Sequence, residues 1–268
     1  MEDLAFWASY LTNGRHLNWY ISFQYTVYAA LLGGTFALLF GLGGAALRNS
    51  PNGLLRLVGA AYTNMVRGVP DVLFFLFFPL AFEQLVELFL AQGVCPPGET
   101  AASGTWPPCP AANWYLGTVE YLLLASGSLG IVFGAFTATV ISGAMQAVPR
   151  GQLEAARAFG MSRMQVLWRV QIRQMWVYAL PGLSNCWLLL IKATSLLSLL
   201  QISDIVRGAN LLGSPNFSRS AGLIHGDWRW AYYLALLLFY ILVTYLSEKG
   251  FAALTRWASR GMPIAGRA

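Results

Sequence analysis

Three stretches of this chain run too long without a charged side chain to sit comfortably in a water-soluble domain: Phe23 to Leu47, Tyr121 to Pro149 and Trp230 to Ser247. A bilayer core takes about 20 apolar residues per helix, because every backbone N–H must be satisfied inside the span. Two further stretches qualify with few charges. About 178–202 contains Lys192, and about 57–82 contains Arg67 and Asp71. The reading is an all-α integral membrane fold of five helices, at about 23–47, 57–82, 119–146, 178–202 and 230–250. Composition agrees, since 57% of residues are apolar and 10% charged in a chain of 268, against about 25% charged in soluble domains. A soluble globular enzyme is excluded on these grounds.

The net charge of +6 is informative through its placement. Arg48 to Arg56 holds two arginines and no acid, and Gln146 to Tyr178 holds Arg150, Arg157, Arg163, Arg169 and Arg173 against Glu154 alone. The tail holds Lys249, Arg256, Arg260 and Arg267. In a five-helix path all three fall on one side. The alternate segments are poor in base: Ala91 to Tyr115 has only Glu99, while Ser203 to Trp228 mixes Asp204 and Asp227 with Arg207 and Arg219. Basic loops stay in the cytoplasm, so the N-terminus is expected to be periplasmic and the C-terminus cytoplasmic. The excess charge therefore marks orientation, and no nucleic-acid partner is expected. Glu2 and Asp3 replace the basic start of a signal peptide. Residues 1–22 are expected to lie along the interface, with Trp7, Tyr10, Trp19 and Tyr20 at headgroup level.

Cysteine and histidine are sparse, and no metal-binding spacing occurs, so no metal site is expected. Cys95 and Cys109 stand among the prolines and glycines of the outer loop, where an oxidising compartment permits pairing. A disulfide or two free thiols are the readings left open there. Cys186 reads as a small packing residue. Glu83 and Glu87 read as solvated near the outer interface.

The large basic loop, 147–178, has helical spacing on both sides of a glycine: Leu153, Ala156 and Gly160 share one face, and Met164, Leu167 and Trp168 another. A short helix projecting from the membrane could seat in a partner's groove. Its sequence, EAARAFG at 154–160 followed by ALPG at 179–182, resembles the EAA loop of the membrane subunits of bacterial ATP-binding-cassette importers. RGVPD at 67–71, VPRGQLEAA at 148–156 and ALPGLSN at 179–185 running into KATSLLSLL at 192–200 resemble the polar-amino-acid permeases. The nearest branch is the one handling histidine, arginine, lysine, ornithine and opines.

The resemblance covers roughly residues 20–255. It implies a multi-pass permease of the bacterial inner membrane, surrounded by lipid and carrying no cofactor of its own. Glu154, Ala155, Ala156 and Gly160 would form the docking turn on a dimer of ATP-binding subunits. Those subunits would hold ATP and Mg, since nothing here matches the phosphate-cradling GxxxxGK[ST]. A second permease, as a heterodimer or a homodimer, would complete the pore, and a periplasmic solute-binding protein would deliver the amino acid. The pattern is not followed everywhere. Where the family commonly shows I-x-L-P after the loop, this chain has Val170, Gln171, Ile172 and Arg173, so a straighter helix is expected. Thr139 and Ser142 stand where the family often carries Glu and Arg.

Charges in a bilayer are costly unless they face a cavity or a partner, which makes Arg67, Asp71 and Lys192 candidates for the transport path. Arg67 and Asp71 are one helical turn apart and could pair with each other, although Pro70 between them disturbs the local ladder and could open backbone groups toward the pore. Lys192 could snorkel to the interface, meet a carboxylate of the companion subunit or touch substrate. Thr194, Ser195 and Ser198 follow at helical spacing and could line the same path. An ion-coupled secondary carrier is the alternative function, but such carriers use more spans and midplane carboxylates. An intramembrane enzyme would need convergent catalytic groups that the spans lack.

Overall fold

A computed structural model describes residues 2–96, 106–200, 202, 204–217 and 225–260, with side chains from Trp7 onward. Glu99, Arg219, Arg267 and the tail beyond Arg260 lie outside the described residues. The helices in chain order are α1 (Glu2–Leu11), α2 (Gly14–Arg48), α3 (Gly53–Gly68), α4 (Asp71–Val94), α5 (Thr118–Ala147), α6 (Arg150–Ala158), α7 (Arg163–Gln165), α8 (Ile172–Ala193), α9 (Ile205–Gly213) and α10 (Arg229–Ala258). Among the described residues five helical stretches are long and apolar enough to cross a membrane: Gly14–Arg48, Asp71–Val94, Thr118–Ala147, Arg163–Leu200 and Arg229–Ala258. The fold is all-α, as the hydropathy pattern requires.

Its centre is the seam between α2 and α5. Gly33 meets Leu129, Gly41 meets Thr137 and Gly44 meets Ala138, so residue numbers rise together and the two helices run parallel. Small residues let the backbones approach. A Cβ on Gly41 would stand 2.3 Å from the Thr137 Cγ2, and one on Gly130 would stand 2.3 Å from the Phe36 Cβ. Between membrane helices there is little hydrophobic drive, because lipid tails are as apolar as leucine, so close packing supplies the association. Ala29, Ala37, Ala125, Leu129 and Phe133 bury themselves along this seam. Most of α4 and α10 stays exposed on the single subunit.

The segment read as one span at 57–82 is two helices. Val69 is extended (φ −91°, ψ 137°), and α4 starts after Pro70. A residue before proline is pushed out of the helical region, and proline itself has no N–H to continue the ladder. Arg67 and Asp71 consequently flank a break, and no ion pair joins them. α3 is held beside the core by the Tyr62 hydroxyl, which donates to the Ile131 carbonyl at 2.8 Å.

At the other end of the bundle α2 starts at Gly14 rather than Phe23, because the Asn13 side chain caps it by accepting from the His16 N–H at 3.0 Å. The His16 ring is buried between the Asn13 Oδ1 (2.9 Å) and the Tyr232 hydroxyl (2.7 Å). Trp19 and Tyr10 are buried packing residues here rather than headgroup anchors, with the Trp19 indole donating to the Ile205 carbonyl at 2.9 Å. Trp7 and Tyr20 remain exposed.

Cys95 and Cys109 form a disulfide. Glu87, expected to be solvated, is buried beneath that loop. Its carboxylate accepts from the Trp106 indole at 2.5 Å and from the Trp114 N–H at 3.1 Å, while Glu83 accepts from the Tyr121 hydroxyl at 3.0 Å. Buried carboxylates survive by collecting donors in this way. Two carboxylates one turn apart on α4 thus fasten it to the loop and to α5.

Candidate functional site: an exposed coupling turn and the charges near the seam

The basic loop folds as α6, a turn at Phe159 to Ser162, and a continuous helical rod from Arg163 to Leu200. Gly160 has φ +81°. Its N–H donates to the Arg157 carbonyl at 2.9 Å and that of Met161 to the Ala156 carbonyl at 3.2 Å. This is the paired closure of a helix that ends in a left-handed residue, a conformation natural to glycine. Ser162 then caps the next helix and Gln165 reciprocates, closing a capping box.

Within this turn the four expected residues divide. Glu154, Ala155 and Gly160 are exposed, whereas Ala156 is buried against the chain itself. Ala155 is therefore the alanine open to a partner. The sequence reading missed Phe159, 88% exposed at the tip of the turn. Beyond it, Met164 and Trp168 are also exposed, with the Trp168 indole N–H donating to the Met164 sulfur at 3.1 Å. An aromatic placed directly before a helix-ending glycine in a basic loop was the available signal.

Val170 to Arg173, where a straighter helix is expected, lies within the continuous rod, but its first two residues belong to a wider turn. Val166–Gln171 is π-helical, with the Ile172 N–H reaching back to the Leu167 carbonyl, and the Gln171 amide donating to the Met145 carbonyl at 3.2 Å. The wider turn ties this rod to the end of α5. Further along, Pro181 removes one ladder bond inside α8, and Gly182 beside it allows Val140 of α5 to pack close.

The charges near the seam do not converge in one subunit. Arg67 donates to the Thr139 hydroxyl at 3.3 Å, and its guanidinium lies 5.2 Å from the Phe136 ring centre. Asp71 is exposed at the start of α4 and Lys192 is exposed at the end of α8. Ser195 and Ser198 are half-buried and donate to the carbonyls of Lys192 and Ser195. Thr194 is fully buried, donates to the Ile191 carbonyl at 2.6 Å and sits 3.4 Å from the Tyr240 hydroxyl. Both positions that depart from the family pattern are used between helices. Thr139 takes Arg67, and Ser142 donates to the Asn49 side chain at 3.0 Å.

Residues 33–260 match the family described as binding-protein-dependent transport system inner membrane component. The chain belongs to this family. The permease is 32% identical to the histidine/lysine/arginine/ornithine transport system permease protein HisQ of Escherichia coli, over 72% of this chain and 76% of that protein. It is also 32% identical to the nopaline transport system permease protein NocQ of Agrobacterium fabrum, over 88% and 89%. Its fold matches a crystal structure of an amino acid ABC transporter with histidines at a TM-score of 0.66 and 22% identity, over 89% of this chain and 93% of that one. A structure of the inward-facing MetNI methionine ABC transporter follows at a TM-score of 0.59 and 13% identity, over 88% and 94%. The permease is an inner-membrane transport subunit and not an enzyme.

One residue that the sequence reading left among ordinary loop charges stands out in the permease. Asp204 is 1% exposed and caps α9, its Oδ1 accepting from the Arg207 N–H at 2.9 Å. Burial pushes its carboxyl up to about 6, against the opposing pull of backbone donors and Arg207. Folded Asp204 thus holds its proton more tightly than the unfolded chain does. Its stabilising contribution is complete below pH 4 and is lost as pH rises through 6. At 1.36 kcal/mol per unit the difference is about 3 kcal/mol. Thermal unfolding of the purified permease is expected to show a falling midpoint between pH 4 and pH 7. Asp204→Asn, which preserves a good helix cap, should flatten that slope and raise the midpoint at pH 8.

Proposed function

We propose that this permease forms half of the pore of an ATP-driven importer for polar amino acids, of the basic or opine class. Its α6 turn would dock on a separate ATP-binding subunit. The observation that carries the reading is the Gly160-closed turn, which leaves Glu154, Ala155 and Phe159 exposed at the end of the bundle where α2 and α5 both finish. A short helix ending in a fixed turn transmits a push without bending, which suits a coupling element. The arginines at 150, 157, 163, 169 and 173 support a cytoplasmic location for that end. By the same argument the N-terminus and the disulfide loop face the periplasm, where oxidation is sustained.

The reading as to substrate follows relatives named for histidine, lysine, arginine, ornithine and nopaline. A companion permease, of the same or a related sequence, would complete the pore. Arg67, Asp71 and Lys192 are exposed on the single subunit and would face that companion or the path between the two. Thr139, which stands where the family often carries Glu, takes Arg67 in this chain, so a carboxylate meeting a cationic substrate between the two subunits would be Asp71 or one of the companion's. The ATP-binding dimer holds ATP and Mg. Closure of that dimer would draw two α6 turns together and rock the permeases between inward-open and outward-open states.

The test is uptake by proteoliposomes containing the permease, its companion, the ATPase and the binding protein. ATP-dependent uptake of arginine, histidine, ornithine or an opine, with neutral residues competing poorly, is expected. Uptake that continues without ATP and collapses with the proton gradient would instead establish the ion-coupled carrier.

A further inference from the structure

At the disulfide-bearing end of the bundle, the start of α2 and the flank of α9 enclose a cleft of about 470 Å3, within the roughly 300–1,000 Å3 of small-molecule sites. Arg15, Asn18, Trp19, Asp204 and Arg207 supply its walls, with Leu211 at one edge. The floor is rigid. Gly208 lies so close to the Trp19 indole that a Cβ there would stand 2.3 Å from the Trp19 Cδ1, and the indole N–H is fixed on the Ile205 carbonyl.

The polar groups on this floor are unevenly satisfied. Asp204 spends Oδ1 on the α9 cap, while Oδ2 is buried and has no hydrogen-bond partner among the described residues. Buried acceptors are nearly always paired, and an exception calls for a missing donor. Arg15 is exposed at the mouth and joins no ion pair among the described residues. A cleft that offers one carboxylate short of a donor and the exposed Arg15 guanidinium at its mouth is complementary to a molecule carrying both signs of charge.

We propose that this cleft binds a small zwitterion, with its ammonium against the Asp204 carboxylate and its acid group on Arg15. Two sources present that chemistry at an outer membrane face: a free amino acid and the headgroup of phosphatidylethanolamine. Guanidinium groups hold carboxylate and phosphate alike through paired N–H donors. The amino-acid source rests on the transport reading above and makes the cleft a station beside the pore. The lipid source does not depend on it.

The experiment uses the assembled importer, purified in detergent and also in nanodiscs. Thermal unfolding is followed against graded L-arginine and L-histidine, and separately in discs of phosphatidylethanolamine or phosphatidylcholine. Asp204→Asn retains the cap, and Arg15→Gln alters an exposed side chain, so both variants should assemble. A saturable rise in midpoint with amino acid, whose half-point moves at least tenfold in each variant, supports the amino-acid form. A rise specific to phosphatidylethanolamine that both variants lose supports the lipid form. The proposal is overturned by responses equal in wild type and variants, by no response to either probe, or by variants that weaken only association of the binding protein. ATP-driven uptake is measured in parallel. Its absence in the wild type would remove the transport reading, while a lipid response that the variants lose would leave the cleft standing.

Discussion

Gly160→Val is expected to cut ATP-driven uptake and the matching stimulation of ATP hydrolysis at least tenfold, while the permease still assembles in the membrane. Gly160 is the left-handed residue that ends α6, and a side chain there costs roughly 1–2 kcal/mol, more when β-branched. Relief comes by unwinding the two closing bonds to Arg157 and Ala156. That would swing Phe159 and reset the angle at which α6 meets the rod beginning at Arg163. None of this touches the α2–α5 seam, so the defect should be one of coupling and not of folding. Gly160→Asn, which tolerates the left-handed region, should retain much of the activity. Glu154→Lys reverses an exposed charge without altering the turn and tests the docking face separately. Wild-type coupling in both Gly160→Val and Glu154→Lys would remove α6 from the mechanism.

Gly130→Leu should have the opposite signature, with little folded permease recovered at all. A Cβ at this position would already overlap the Phe36 Cβ at 2.3 Å, with the Phe36 backbone carbon 3.2 Å away. No side-chain rotation relieves a collision with a Cβ, so α2 and α5 must separate. Overpacking of a tight core usually costs about 1–3 kcal/mol. Here it also opens the packing around Gly33, Gly41 and Gly44, on which association depends. Gly127, three residues earlier on α5, has no neighbour within 4 Å of a built Cβ. Gly127→Ala should leave the unfolding midpoint unchanged or slightly higher, since alanine is favoured over glycine in a helix by about 0.5–1 kcal/mol. Equal midpoints for Gly130→Ala and Gly127→Ala in detergent would contradict the seam.

Five apolar stretches were legible because hydropathy acts residue by residue and needs no knowledge of neighbours. The Gly160 turn was legible because a glycine between two helical periods has a narrow set of uses. The disturbance at Pro70 was legible, but not that it divides the segment into two helices: the apolar run continues across it, and hydropathy outweighed the local geometry of proline. Helix α2 began earlier than expected because Asn13 caps it and Tyr232, far along the chain, receives His16. Glu87 was misplaced for a similar reason. Its donors, Trp106 and Trp114, come from a loop whose fold against α4 no periodicity encodes. Asp204 read as one charge among several in a mixed loop, and only packing against Trp19 and α9 reveals that it is enclosed.

The parallel pairing of α2 with α5 has a consequence for how the chain is made. Two neighbouring helices in sequence tend to pair antiparallel as they emerge, but α2 finds its main contact in a helix synthesised after α3, α4 and the disulfide loop. Until α5 enters the bilayer, the glycine-lined face of α2 has only lipid against it, apart from the Gly44 end that Tyr62 of α3 covers. Non-local contacts of this kind form late, because the intervening chain must be ordered first. The nascent permease therefore passes through an interval in which its first span is inserted without its main partner. Substitutions along the seam should then act during biogenesis, by prolonging exposure to membrane quality control, before any loss of equilibrium stability in the finished molecule becomes visible.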